Sequence, residues 1–522
     1  MTDSQRFKAM VATAHPLATE TGISILKQGG NCVDAAIAVA GTLNVVDMGN
    51  TGVGGDMFAL VYFKNEGRVV GLNASGRSPY AATLDEYKKH GLTNVPERGP
   101  LPVTTPGALS GWAMLHERYG TLPFQKLLEP AIRLAKDGFQ INPAISIFVA
   151  LSAEVIRKFP KTEEIYLKPF GGVPGPGKTL VQAELGESFE KISAHGPDIF
   201  YKGEIGRSIA KFVQEMGGVL SERDFAEHRA NWVEPISTTY RGNEVFTIPP
   251  NSQGLALLQM LNIFQELDVK KLSRNPADLV HYQIEAKKLI FGDRADYYCD
   301  PDFHHIPLDK LLSAEYATQQ RNSIDPNRAA EARSSTPGLT GDTTYFSIVD
   351  AEGNAISFIN SLFDLFGSGM VAGDTGIILQ NRGKSFSLNP KHWNALEPQK
   401  RPMHTLVPCM VLRNRKPNLL LGCVGGDQQT PGLLQILTNI LDLEMSPQEA
   451  INASRWRCYE DGKVVLEAAL GDNVVQSLSH RGHVLTDEID FFGGAQCIQI
   501  DQNGRLVGGS DPRLAGCWQG LR

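Results

Sequence analysis

Cysteine is scarce and unpatterned in this chain. Its seven cysteines (Cys32, Cys299, Cys409, Cys423, Cys458, Cys497 and Cys517) form an odd, scattered set without a Cys-x-x-Cys spacing. That argues against a disulfide framework and against a cysteine-built zinc site, and it points to a reducing compartment. Long apolar runs are missing as well. The opening MTDSQRFKAMVATAHPLATE lacks the roughly 7 to 15 residue apolar stretch of a secretory signal, and no run approaches the ~18 uncharged apolar residues of a membrane span. The expectation is a cytoplasmic protein. Excess positive charge is absent too: 50 Lys and Arg stand against 57 Asp and Glu, a net charge of −7. A nucleic acid or an anionic membrane is therefore a poor main partner.

The commonest catalytic signatures are also missing. No G-x-S-x-G elbow occurs, and neither His116-Glu117 nor His304-His305 completes H-E-x-x-H, which disfavours serine-hydrolase and zinc-protease readings. What is present is material for a large core. Apolar residues make up 42% of 522 residues, enough for one large α/β body with insertions or about three or four domains. Internal repeats and low-complexity tracts are not found.

One phosphate-loop pattern matches in full, GVPGPGKT from Gly172 to Thr179. Its context is poor. Pro174 and Pro176 remove two of the backbone N–H donors that a phosphate cradle uses, and Pro169 spoils the preceding segment as a central strand. A surface loop is the plainer reading, with nucleotide binding through Lys178 kept as the alternative from another class. A second glycine cluster, Gly49 to Asp56, precedes an apparent strand (MFALVYF), the reverse of the order in a dinucleotide-binding fingerprint. It reads as a tight turn whose backbone approaches a neighbour.

Helical patterns dominate the first half. A helix should run from Pro16 to Lys27 and stop at Gly29-Gly30, with Asn31 capping a second, very apolar helix. Thr105-Pro106 should open another, since Thr can cap and Pro at the first helical position loses no bond. Further helices are expected at 123–136, 253–267 and 276–291, and 329–341 reads as an exposed linker. From Thr343 the pattern turns to strands: TTYFSIV, a turn at 350–354, then AISFINS, a hairpin. Strand-like runs follow at 405–413 and 418–424, and helical ones at 433–442 and 447–456. The class is α/β, or α+β in layers.

Several segments of the second half then become specific together. TTYFSIVDAEGNA, FGSGMVAGDTGIILQN, KRPMHTLVP and LGCVGGD occur in the order seen in γ-glutamyltranspeptidases, amino-terminal-nucleophile hydrolases that cleave their own precursor. In the first half ATETGISILKQGGNCVDAAIA, TGVGGD, TTPGALSGW, GTLPFQKLLEPAIRLAKDGF, GPDIFYKG and DPDF also resemble that family. The resemblance spans the chain from about residue 10 to GGSDPR at 508–513.

The resemblance implies an αββα sandwich, made as a proenzyme. Cleavage after Asp342 would leave a large chain, 1–342, and a small catalytic chain, 343–522, paired in one body; pairing of such units into a dimer is also admitted. Thr343 would become the first residue of the small chain. The chemistry is independently sensible, because an exposed α-amine has a pKa of about 7.7–8.0, so one residue can supply both nucleophile and general base. On local sequence alone Thr343-Thr344 is an ordinary pair of β-formers. Gly425 and Gly426 match the family's oxyanion-hole pair, a task glycine suits by letting the backbone approach closely at positive φ. Ser361 falls where the family has a Thr that hydrogen-bonds the nucleophile, although a buried strand serine fits the local sequence equally well. No metal and no organic cofactor is implied.

The matching substrate pocket departs from the family pattern. Phe363, Arg382 and Ser385 stand where γ-glutamyl enzymes hold the substrate's α-ammonium. His404-Thr405 replaces the Ser-Ser pair that holds the α-carboxylate, and Ser75 replaces an Arg, with Arg77 two residues later. A cation such as Arg382 repels an ammonium and attracts an acid. The expectation is therefore a small-molecule acid amide, with oxamate, cleaved to oxalate and ammonia, as leading candidate. Glutathione-type γ-glutamyl amides and the dicarboxylic acyl amides of cephalosporin acylases come next. The plainer alternative is that Arg77 and Arg382 are solvated surface charges.

Overall fold

In a computed structural model of the chain, which describes residues 7–332, 341–488 and 491–522, two antiparallel sheets lie face to face. Their strands are β1 (Ala9–Thr13), β2 (Asp56–Phe63), β3 (Arg68–Ala74), β4 (Asn231–Val233), β5 (Ile236–Tyr240), β6 (Asn243–Thr247), β7 (Asp342–Val349), β8 (Ala355–Phe363), β9 (Cys409–Arg413), β10 (Lys416–Cys423), β11 (Ala495–Ile500), β12 (Leu506–Ser510) and β13 (Cys517–Leu521). The first sheet has the order β13-β1-β7-β8-β2-β3-β4 and the second β12-β11-β10-β9-β6-β5.

The period of two along each strand sorts its side chains between two layers. On β1, Ala9 and Val11 face helices while Met10 and Ala12 face the other sheet; on β2, Met57, Ala59 and Val61 alternate with Phe58, Leu60 and Tyr62 in the same way. The second sheet sends Met410, Leu412, Leu420 and Ile498 inward, and Val411, Leu419, Leu421 and Cys497 outward. Outside the first sheet lie α1 (Pro16–Lys27), α2 (Cys32–Val46), α3 (Ala108–Tyr119) and α4 (Phe124–Asp137); outside the second lie α5 (Gly254–Phe264), α6 (Pro276–Tyr297) and α7 (Gln429–Leu441). This is the expected four-layer αββα sandwich. Among the described residues no helix is long and apolar enough to cross a membrane.

Most expected elements stand within a few residues of their bounds. Asn31 caps α2 through a full capping box with Asp34, which satisfies donors that a helix start leaves open. The α3 start differs from expectation. Thr105 Oγ1 is buried with no partner among the described residues, and the helix opens at Ala108 behind Gly107, with no side-chain cap. The Gly107 and Ala108 N–H groups both donate to the Gly55 carbonyl at 2.9 Å, so a tertiary carbonyl does the work of a cap. Helix α6 runs six residues past the expected 291, to Tyr297, while the run expected as a strand over 405–413 becomes one only at Cys409. Most of the linker expected at 329–341 falls outside the described residues.

The phosphate-loop reading is corrected. A 3-10 turn at Lys168–Phe170, not a strand, precedes Gly172, and the two-residue strand Thr179–Leu180 follows. Lys178 is exposed, and the Gly177 N–H that a phosphate cradle would use is already given to the Ile141 carbonyl at 2.8 Å. The Gly49–Asp56 cluster is the tight approach anticipated: a Cβ on Gly54 would lie 2.0 Å from the Ile378 carbonyl oxygen, and one on Gly55 2.2 Å from that of Ser361.

The two sheets also touch closely at Gly422. A Cβ on Gly422 would sit 2.0 Å from Cδ2 of the buried Tyr345 ring. Gly422→Ala should therefore lower stability by roughly 1–3 kcal/mol, the usual cost of overpacking. Urea unfolding of the variant, with and without Tyr345→Leu to make room, checks this: the second change should return part of the loss.

Candidate active site

Strand β7 lies between β1 and β8 inside the first sheet, so its backbone is held on both edges. Alternation turns Tyr345 towards the second sheet and Phe346 towards the helices. By the same alternation Thr343 points between the sheets and Thr344 points at the helical layer. Ser361 on β8 shares the inward parity of Ile359, and the Thr343 hydroxyl donates to Ser361 Oγ at 3.2 Å. While the bond to Asp342 is intact the Thr343 nitrogen is an amide. Asp342 pairs through its backbone with Phe363.

Ser361 Oγ is a hub. It also accepts from the Phe363 N–H at 2.8 Å and from Arg382 Nη2 at 3.3 Å. Arg382 is fully buried, which removes the surface-charge alternative for this residue. Its Nη1 donates to Thr405 Oγ1 at 3.0 Å, and its guanidinium carbon lies 3.8 Å from the centre of the Phe363 ring. Among the described residues it makes no ion pair, and its Nε has no partner. Burial draws its pKa down to about 9, against the opposing pull of Asp56, Asp364 and Asp427, so it stays cationic at neutral pH. Phe363 holds φ 84°, a conformation rare for a bulky residue.

Gly425 and Gly426 follow β10, with φ 117° and 60°. They open the 3-10 turn Gly426–Gln428, and a helical start leaves its first N–H groups without an intrahelical acceptor. Helix α7 begins directly after. Its first residue, Gln429, donates from its backbone N–H to the Gly426 carbonyl and from Nε2 to Thr343 Oγ1 at 3.4 Å. Gln429 thus ties the glycine turn to Thr343. The sequence reading missed it; its signal was its place two residues after the Gly-Gly-Asp run.

Other expected residues are placed differently. Both ring nitrogens of His404 are engaged inside the protein, Nε2 with Asp56 Oδ2 at 3.1 Å and Nδ1 with the Leu406 N–H at 3.4 Å. Burial, helped by the Arg382 charge, lowers its pKa to about 3, so the ring is neutral and donates from Nε2. It is a support for its neighbours and offers no free donor to an acid. Arg77 is not brought to this set. Its guanidinium is committed to the Gln399 carbonyl, Asp300 and Asp302, and it lines a different cavity, of about 410 Å³, with Arg229, His304 and Arg401. A cavity of about 750 Å³ is lined in part by Lys384 and Ser385, two and three residues after Arg382 in the chain, and by Arg294, Tyr298 and Met403. Ser385 donates to the carbonyls of Arg382 and Met403.

One buried group of three metal-ligating side chains occurs elsewhere among the described residues, His281, Glu285 and His483. Most of its ligand atoms are already engaged, although His483 Nδ1 has no hydrogen-bond partner among the described residues. The two rings are hydrogen-bonded to each other at 2.8 Å, and Glu285 is taken by Lys288 and the Ala330 N–H.

This layering, with a hydroxyl residue at the head of a central strand and facing the inter-sheet space, is the architecture of amino-terminal-nucleophile hydrolases, which act on amide bonds. The sequence comparisons agree. The family model described as gamma-glutamyltranspeptidase matches residues 18–520, and the chain belongs to that family. It is 39% identical over 98% of its length to a glutathione hydrolase-like YwrD proenzyme of Bacillus subtilis, 98% of which is covered. It is 33% identical, again over 98% of each chain, to an oxamate amidohydrolase proenzyme of Klebsiella pneumoniae. Among solved structures, a cephalosporin acylase from Bacillus halodurans superimposes with a TM-score of 0.93 at 37% identity, covering 100% of this chain and 97% of that one.

A buried carboxyl stands behind the site. Asp47, just past α2, accepts from the Thr344 hydroxyl and from Asn50 Nδ2, and burial pushes its pKa up to about 7. In the unfolded chain the same group ionises near pH 4. The folded state thus resists the charge, and stability should fall as pH rises from about 4 through about 7. Asp47→Asn removes that penalty. The variant should match wild type near pH 4 and exceed it at pH 8 by a few kcal/mol, since each tenfold difference in proton affinity between the folded and unfolded chain is worth ~1.4 kcal/mol. Urea midpoints at the two pH values check the sign.

Proposed function

We propose that the chain cuts itself between Asp342 and Thr343 and then hydrolyses the amide of a small acid, with oxamate as leading substrate. The observation that carries the reading is Arg382: a buried guanidinium with no ion-pair partner among the described residues, separated from the Thr343 hydroxyl by the single oxygen of Ser361. A buried charge without a counter-ion is costly unless a partner arrives, and a substrate carboxylate supplies one. An α-ammonium in the same place would meet a like charge.

In this mechanism cleavage frees the Thr343 amine. Thr343 Oγ attacks the amide carbonyl while the amine takes the hydroxyl proton and passes it to the leaving nitrogen, releasing ammonia. The N–H groups of Gly425 and Gly426 hold the oxyanion, and Ser361 and Gln429 orient Oγ. Water then attacks the acyl enzyme, its proton passing to the amine and from there to Thr343 Oγ as the acyl–oxygen bond breaks and the diacid leaves. Arg382 and Thr405 bind the carboxylate over the Phe363 ring. The chemistry requires no metal or organic cofactor. The seven free cysteines suit a reducing, cytoplasmic setting. The relatives named for glutathione hydrolysis and cephalosporin acylation make glutathione and a glutaryl amide the comparison substrates.

Maturation should leave chains of 342 and 180 residues, about 37 and 20 kDa in proportion to length. Thr343→Ala should stay one folded, inactive chain, and Thr343→Ser should retain slow cleavage. Intact-mass analysis checks both, and an active wild type that is wholly uncut would remove the mechanism.

Specificity is tested on the same matured preparation. An unpaired ammonium should cost a few kcal/mol, about two orders of magnitude in kcat/KM. Oxamate should therefore be turned over faster than glutathione, and Arg382→Ala should raise KM for the acid. Faster hydrolysis of glutathione would overturn the pocket argument and leave the Thr343 mechanism standing.

A further inference from the structure

Gln253 is fully buried at the head of α5, just ahead of Gly254, and each polar atom of its side chain is used. Nε2 donates to the Gly426 carbonyl at 3.1 Å and to the Thr405 carbonyl at 2.8 Å. Oε1 accepts from Arg294 Nη1 at 2.8 Å. Arg294, itself buried on α6, pairs with Asp427 through the same nitrogen and reaches Glu460 at 3.5 Å. One amide therefore touches the glycine turn, the segment that carries Arg382's partner, and a buried charge network.

We propose that Gln253, oriented by Arg294, is a positioning residue: by holding the carbonyl of the Gly426–Asp427 peptide it fixes the conformation of Gly426 and so the direction of the glycine N–H groups for oxyanion binding. The inference rests on the reading that these glycines stabilise the oxyanion.

Two features make the turn dependent on an outside hold. Both glycines sit at positive φ, and without a Cβ they have many other conformations open to them. The Gly426 carbonyl has one bond from within its own turn, the Gln429 N–H; among the described residues its hold from outside is Gln253. Thr405 is fixed more redundantly. The Gln253 backbone N–H donates to the His404 carbonyl at 2.8 Å, His404 N–H donates to the Asn251 carbonyl at 2.7 Å, and Ser252 Oγ donates to the Leu406 carbonyl at 2.7 Å. Loss of the Gln253 side-chain amide should thus loosen the glycine turn more than the carboxylate site. An oxyanion donor acts only if its N–H is aimed where charge develops, and a misplacement of about 1 Å can cost ~100-fold in rate. The effect belongs on kcat.

The test compares Gln253→Met, which keeps the shape and loses every polar bond, with Gln253→Glu, which keeps an acceptor for Arg294 and loses the donors to both carbonyls. Matured proteins are assayed with whichever of oxamate, glutathione and a glutaryl amide the wild type turns over fastest, with Thr343→Ala as control. We expect both variants to lose at least tenfold in kcat with KM changed by less than about threefold. Wild-type kcat in Gln253→Glu would overturn the proposal, since the bond to Arg294 would then be all that matters. A loss confined to KM in either variant would also overturn it, because the amide would be serving the carboxylate site. If Gln253→Met does not fold, Gln253→Glu alone decides by the same criteria. An active Thr343→Ala would instead bring down the nucleophile reading and this inference with it, which separates the two failures.

Discussion

A guanidinium buried with no counter-ion among the described residues, that of Arg382, constrains everything around it. Taking such a group out of water costs several kcal/mol even after relaxation, so the fold has to provide compensation. It does so piecemeal: hydroxyl oxygens from Thr405 and Ser361, the face of the Phe363 ring, and the more distant fields of Asp56, Asp364 and Asp427. None of these is a salt bridge, and Asp364 is already engaged by Lys384. The result is a cation held in place and not neutralised, which is the electrostatic condition for receiving an acid. Phe363 is bound into the same arrangement. Its N–H must reach Ser361 Oγ and its ring must lie under Arg382, and it meets both with a backbone at positive φ, a strain of the kind that collects at functional sites.

The sandwich determines how closely that site can be specified. Strand β7 has neighbours on both edges, so Thr343 cannot slip by one residue without turning the whole strand inside out. Gly55 lets β2 enter against the carbonyl of Ser361, and the same Gly55 carbonyl serves the start of α3. Thr344 is tied to Asp47 at the end of α2. The position of Thr343 is therefore set from three sides by elements whose own positions are fixed by core packing.

How far this was legible in the sequence depends on the kind of signal. Local rules were enough for α1 and α2, where Pro16, the glycines at 29 and 30 and the Asn31 cap act within a few residues, and for the β7–β8 hairpin with its alternating pattern. Thr343, Ser361, Gly425 and Gly426 were singled out because contiguous motifs carry them, and the fold brings them together. The α3 start misled because its cap is a carbonyl that arrives from residue 55, invisible to a local reading. His404 and Arg77 were chosen by alignment position, which says nothing of the partners that occupy their donors, Asp56 for one and Asp300 with Asp302 for the other. Gln253 and Arg294 left no pattern at all: α6 carries Glu285, Lys287, Lys288 and Arg294 buried among apolar residues, and amphipathic periodicity cannot announce a polar side chain that points inward.

The order of strands explains why a cut between residues 342 and 343 need not separate the two parts of the chain. In the first sheet β1 lies between β13 and β7, and β8 is paired with β2; in the second β9 is paired with β6. Four ladders thus join strands from before residue 343 to strands after it, and the layer between the sheets draws on both, Phe58 and Leu60 from one side and Tyr345, Ile359 and Leu420 from the other. Separation would expose that whole layer, at roughly 25 cal/mol for each Å² of apolar surface. The ion pairs run the same way: Arg294 reaches Asp427, and Lys287 reaches Glu460 at 2.7 Å. Breaking that one peptide bond would therefore convert the Thr343 nitrogen from amide to amine and leave in place the packing that aims its hydroxyl.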